Sequence, residues 1–244
     1  MTPSAPPRLL AELAALGPYF AVDVHEPDAP LRGPWHDLRE LFSSPRLLTE
    51  RISQVRDGLA RAAGEPAGVV ELQVAASVAQ LGLCARLMSP VLGAAVLGGT
   101  LHIEVAQARW VPSLGGPFRL SVPGTAVRGR SSLGAGGAAW QRLLDGPISQ
   151  LARSVASMSV SPQVLWGNVA SAVNGAAEMI AAARPDLAGT ARAVAGTVLQ
   201  FPALAGGYTG APGPGFRRRN CCLIYRLSPS APGYCGDCVL ASPS

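Results

Sequence analysis

Four of the five cysteines in this 244-residue chain sit close together near its carboxyl end: Cys221, Cys222, Cys235 and Cys238, in the pattern C-C-x12-C-x2-C. Thiolates so closely spaced have three chemical outlets: a pair of disulfides, a four-sulfur zinc site, or an iron–sulfur cluster. Disulfides fit worst. They persist in oxidising compartments, and the stretch Met1–Gly17 carries Glu12 within its apolar run, which interrupts the apolar region a secretory leader needs. Cys235-x2-Cys238 is a normal half of a zinc site, in which one tight turn presents two sulfurs. Cys221 and Cys222 are adjacent, however, and neighbours on an extended backbone point to opposite faces. A two-iron cluster relaxes that demand, because four sulfurs shared between two metals need not converge on one point.

The stretch Arg218-Arg219-Asn220-Cys221-Cys222-Leu223-Ile224-Tyr225-Arg226, followed by Cys235-Gly236-Asp237-Cys238, resembles the carboxyl-terminal signature of ferric-siderophore reductases of the FhuF type. A second stretch, Ser161 to Ser171, is similar to that family's other recurrent segment and is centred on Trp166-Gly167-Asn168. The likeness implies that Cys221, Cys222, Cys235 and Cys238 hold a [2Fe–2S] cluster. Beyond these stretches the match is one of layout. The middle spacer, Leu223 to Tyr234, is longer here than is usual in the family, an insertion that a Pro/Ser/Gly loop tolerates.

Around such a cluster, Arg217, Arg218 and Arg219 are candidate surroundings, since cations and N–H groups near an all-thiolate centre favour its reduced state. Gly236 is a small residue that lets amides approach sulfur. Asp237 runs against this logic. Trp166 and Asn168 read as a packing triplet with Gly167 or as substrate contacts, and a position beside the cluster reconciles the two.

Composition sets the frame for these residues. Apolar residues make up 48% of the chain and charged residues 14%, which is globular rather than disordered. The net charge is +5, yet there is no lysine, which removes Schiff-base, phosphate-loop and Ser-Lys chemistry. With no arginine cluster beyond 217–219 and only 5% aromatics, no nucleic-acid partner is expected. Leu87–Leu101 is short and Ser154–Ala177 is rich in polar residues, so no membrane span is expected, and the expected location is cytoplasmic.

Helices are expected at 6–16, 37–42, 46–63, 69–87, 91–97, 138–144, 147–158, 162–183 and 185–200, from apolar spacing and from Pro and Gly at their ends. Pro90 is expected to separate 69–87 from 91–97. Residues 19–25 read as a strand, and Leu101–Val111 alternates most clearly, with Phe118–Val122 as its hairpin partner. The expected fold is α+β: a helix-rich main domain with a small antiparallel sheet or hairpin over 1–213, then a short cluster-binding segment over 214–244.

Other motifs carry less. Gly134-x-Gly136-x-x-Ala139 matches a dinucleotide fingerprint but lacks the strand before it and the acidic residue after it. His25, His36 and His102 have no metal-ligand spacing, and Cys84 reads as a core residue. The function implied by the resemblance is one-electron reduction of an Fe(III)-siderophore, hydroxamate type, with release of Fe(II). The electron comes from a partner such as a reduced ferredoxin or a flavin reductase. The rivals are a siderophore- or partner-binding protein with structural zinc in its tail, and an iron–sulfur redox sensor.

Overall fold

Two buried helices form the axis of the molecule in the computed structural model, which describes residues 5–113, 116–129, 136–227 and 233–240. They are α4 (Leu72–Val96) and α7 (Pro162–Ala183), and they pack along each other. Helix α4 is apolar on all sides, as a helix enclosed by others must be. Its 25 residues and a mean hydropathy of 1.3 over its best window would suffice to cross a membrane, but 78% of that window is buried inside the protein.

The expected break at Pro90 is absent, and α4 runs through it. Proline removes one intrahelical N–H. Here the flanking Met88, Val91 and Leu92 are buried, and Ser89 Oγ donates to the Ala85 carbonyl at 2.7 Å. Packing on every side outweighs the lost bond. Helix α7 begins where Ser161 Oγ accepts from Val164 N–H and Pro162 takes the first helical position.

Around this pair lie α1 (Ala5–Ala15), α2 (Leu38–Ser43), α3 (Pro45–Ala63), α5 (Gly136–Leu143), α6 (Ser149–Ala156), α8 (Ala188–Leu199) and the short α9 (Pro202–Ala205). A π-helical turn, Leu144–Ile148, contains Pro147 and joins α5 to α6. Helix α1 buries Leu9, Leu13 and Leu16, and it approaches α4 closely at Gly93. A Cβ there would stand 2.8 Å from Leu13 Cδ2 and 2.9 Å from Phe20 Cδ1. Gly93→Ala is therefore expected to cost about 1–2 kcal/mol, overpacking outweighing the gain in helix propensity. Urea denaturation checks it, and a stabilised variant would contradict the close fit.

The main sheet has the order β1-β5-β4-β2, formed by β1 (Asp23–His25), β2 (His36–Asp37), β4 (Arg109–Val111) and β5 (Arg119–Pro123). Strands β4 and β5 pair antiparallel with Trp110 opposite Leu120, β2 joins β4 antiparallel, and β1 joins β5 parallel. The expected hairpin is present, but the long strand proposed for 101–111 is not. Only Thr100–Leu101 (β3), paired with β6 (Val127–Arg128), and Arg109–Val111 are extended. Between them the chain turns, with the N–H groups of Gln107 and Ala108 both donating to the Glu104 carbonyl. Burial of Ile103 and Ala108 on either side of that turn mimics strand alternation.

Arg86, the one charged residue of α4, clamps the sheet to the helix. Its guanidinium donates to the carbonyls of Phe118 (2.7 Å), Tyr19 (2.8 Å) and Ala21 (2.6 Å). Burial lowers its pKa to about 10. A last hairpin, β7 (Tyr208–Thr209) with β8 (Arg217–Arg218), spans the expected domain boundary at 213/214. The molecule is a helix-rich α+β fold. Gly134 of the fingerprint-like stretch and Pro229 and Pro232 of the cysteine spacer lie outside the described residues.

Candidate metal centre

Strand β8 delivers the cysteine segment onto the amino-terminal half of α4 and onto α7. Its alternation separates the three arginines. Arg218 points inward with its side chain 1% exposed, while Arg217 and Arg219 stay at the surface. A buried guanidinium needs several acceptors or a counter-charge. Arg218 finds Asn168 Oδ1 and, at 2.7 Å, Ser171 Oγ, both on α7. Asp237 Oδ2 lies 3.6 Å from Nε, accepts from Ser171 Oγ, and is 20% exposed. The main chain repeats the link, Arg218 N–H donating to the Asp237 carbonyl at 3.0 Å. Asp237, which ran against the sequence logic, is the partner of the one arginine that is buried.

Asn168 ties this cluster to α4. Its Nδ2 shares its two hydrogens among the Ser77 carbonyl (3.0 Å), Ser77 Oγ (3.1 Å) and Gln80 Oε1 (2.9 Å). Ser77 Oγ in turn donates to the Cys222 carbonyl at 2.9 Å. Gln80 Nε2 reaches Cys84 Sγ at 3.1 Å, and Cys84 is a buried core thiol whose pKa burial pushes up. Gly167 permits the approach, since a Cβ on Gly207 of the facing loop would stand 3.4 Å from Gly167 Cα.

All four tail cysteines are free thiols. Cys222 and Cys238 are buried, and Cys221 and Cys235 are half-buried. The sulfurs of Cys222 and Cys235 lie 3.4 Å apart. Two thiolates on one tetrahedral metal at about 2.3 Å would be about 3.8 Å apart, so this pair is spaced nearly as co-ligands. Backbone N–H groups of Leu223 and Leu240 each donate at 3.3 Å to the sulfurs of Cys221 and Cys238. The hydrogen bond with Cys235 lowers the Cys222 pKa to about 6 and raises that of Cys235, so the pair favours sharing one proton. Burial raises the Cys221 thiol. Arg218 favours the ionised form of Cys221, Cys222 and Cys235 alike.

Among the described residues, no three His, Cys, Asp or Glu side chains converge closely enough to hold a single ion. The donor set still suits a larger anionic group. Four soft sulfurs lie on one short segment, backbone N–H groups donate to two of them, and the buried guanidinium of Arg218, whose Nε–H lacks a hydrogen-bond partner, is near enough to favour ionisation of three. The Nε–H has the Asp237 carboxylate 3.6 Å away without a hydrogen bond to it, and the guanidinium's charge is what a net-negative thiolate cluster would complement.

Among the described residues, the other expected surroundings make no side-chain hydrogen bond to this network. Trp166 is two residues, and so about 200° around α7, from Asn168, and packs against the main core. Arg219 Nε donates to the Tyr208 carbonyl, and Arg217 to those of Pro214 and Phe216. Gly236 has nothing within 4 Å of where a Cβ would stand, so no steric need for glycine is visible there. Sequence reasoning missed Ser77, Gln80 and Ser171.

A concavity of about 240 Å³ lies at the sheet and is lined by His25, Asp28, Arg109 and Thr125 among others. His25 Nδ1 meets Ser121 Oγ at 2.7 Å, and burial and Arg109 lower its pKa. The sheet is clamped to α4 at Arg86, nine residues from Ser77, or about 13 Å along the helix axis. This cavity is thus separate from the cysteine centre. No protein-family model and no curated protein matches the chain, so the likeness of its two stretches to ferric-siderophore reductases stands on those residues alone.

Proposed function

We propose that Cys221, Cys222, Cys235 and Cys238 hold a [2Fe–2S] cluster and that the protein reduces an Fe(III)-siderophore, releasing Fe(II). The observation that carries this reading is a segment of four free thiols, with the Cys222 and Cys235 sulfurs 3.4 Å apart, laid against the buried, partly unpartnered guanidinium of Arg218. Bound there, the cluster would supply single-electron chemistry. The chain's own residues do the rest. Arg218 offsets negative charge at the sulfurs, and Asn168 and Ser171 fix its orientation. The N–H groups of Leu223 and Leu240 stabilise two thiolates. The half-buried Cys221 and Cys235 keep the centre close to solvent, where a bulky chelate can approach.

The reaction balances without an acid, base or nucleophile: a donor loses one electron and Fe(III) becomes Fe(II). Hard oxygen ligands hold Fe(II) less tightly than Fe(III), and the ion leaves. The substrate class, a hydroxamate chelate, follows from the resemblance. The test is anaerobic addition of the dithionite-reduced protein, freed of excess reductant, to a ferric hydroxamate. The expected result is loss of the chelate's visible band, with Fe(II) captured by a colorimetric chelator. Persistence of the band with fully loaded protein would contradict the reductase reading and favour a sensor. Cys222→Ser is expected to abolish both cluster and reduction, as measured by iron content and the same assay.

A further inference from the structure

Seven large apolar side chains are exposed among the described residues; three of them lie within the cysteine segment and two lie on the stretch that packs against it. Tyr234 (54%) precedes Cys235, and Val239 and Leu240 (48%) follow Cys238. Val69 and Leu72 flank Val70, whose buried side chain packs with Ala60 and Val74 against Leu223 and Leu227 of the same segment. Glu71, between them, is paired to Arg226 at 3.0 Å. Exposed apolar residues gathered at one place and rimmed by polar groups mark sites of protein contact. Positive charge adjoins this place, since Arg217 and Arg219 flank Arg218, whose N–H donates to the Asp237 carbonyl between Cys235 and Cys238. Arg217 and Arg219 bond main-chain carbonyls, and among the described residues neither is paired to a carboxylate.

We infer that this apolar collar with its arginine rim is the docking surface for a small acidic electron-carrier protein, which delivers one electron at the cysteine segment. The inference rests on the proposed redox centre and adds where its donor binds. Apolar contact supplies the affinity, and Arg217 and Arg219 steer an oppositely charged partner. One electron leaves the reduced carrier, which returns to its oxidised form, and the bound ferric substrate gains that electron. Such complexes are small and transient, with weak binding that salt screens.

The test is binding of an oxidised acidic plant-type ferredoxin to the immobilised protein, followed by interferometry at low and at high salt. Wild type is expected to bind, with affinity falling as salt rises. Tyr234→Ser, Leu240→Ser and Leu72→Ser are each expected to weaken binding roughly tenfold, a usual loss for a central apolar contact. Leu72 lies outside the cysteine segment, so its variant is informative even if the tail variants lose metal. In parallel, the absorption spectrum and the rate of reduction by dithionite are expected to be unchanged in Leu72→Ser. Equal affinity in wild type and variants overturns the docking surface. So does absence of binding, which leaves a diffusible reductant such as free reduced flavin, or coverage of the patch by a second copy, visible as a dimer in sedimentation. A wild-type protein that holds no iron–sulfur group overturns the redox reading itself and is recognised from the spectrum before any ferredoxin is added.

Discussion

Arg218→Met is expected to destabilise the protein by about 3–5 kcal/mol, the usual effect of removing one member of a buried charged network. The substitution leaves Asn168 Oδ1 without its donor, while Ser171 Oγ loses one partner and Asp237 its nearest cation. At roughly 2–4 °C per kcal/mol for a chain of this size, the melting temperature should fall by about 10 °C. Lysine at 218 keeps the charge but cannot fork to Asn168 and Ser171 together, so Arg218→Lys is expected to recover only part of the loss. Asp237→Asn should cost less, because solvent already screens the one-fifth-exposed carboxylate. The network predicts coupling as well. Arg218→Met and Asn168→Ala together should cost less than the sum of the two, by roughly 0.5–3 kcal/mol. Circular dichroism during thermal and urea unfolding reads all of these, and strict additivity would show that Asn168 and Arg218 do not act as one unit.

A loss of similar size, about 3–5 kcal/mol, is expected for Arg86→Met, by a different route. Three carbonyls, those of Phe118, Tyr19 and Ala21, would lose their shared donor where α4 meets the sheet. This variant probes the fold without touching the cysteine segment. Its iron content and absorption spectrum per folded molecule should equal those of wild type, whereas Arg218→Met should reduce metal retention. If Arg86→Met also stripped the metal while remaining folded, the separation between scaffold and centre would be wrong.

Much of this arrangement was legible in the residues. The pattern C-C-x12-C-x2-C and the Trp-Gly-Asn stretch point to two places in the chain, and a single guanidinium joins them in space. What periodicity could not convey was which of three consecutive arginines turns inward, because that depends on the register of β8 against β7. Ser77, Gln80 and Ser171 left a fainter trace. Polar residues three apart on otherwise apolar helices are a sign of an internal hydrogen-bond network, and Asn168, Ser171 and Asn174 repeat that spacing on α7. Arg86, the one charged residue of α4, is the same kind of signal. The failures have physical causes too. Pro90 breaks an isolated helix but not one packed on all sides, and the alternation of 101–111 records burial on both sides of a turn rather than a continuous strand.

Metal and acid-labile sulfide analysis of the anaerobically purified protein, read with its visible absorption, tests the central claim most directly. Four cysteines sharing a two-iron cluster predict two irons and two sulfides per chain and a charge-transfer absorption that one electron per chain bleaches. A colourless protein with one zinc per chain and no labile sulfide would contradict it.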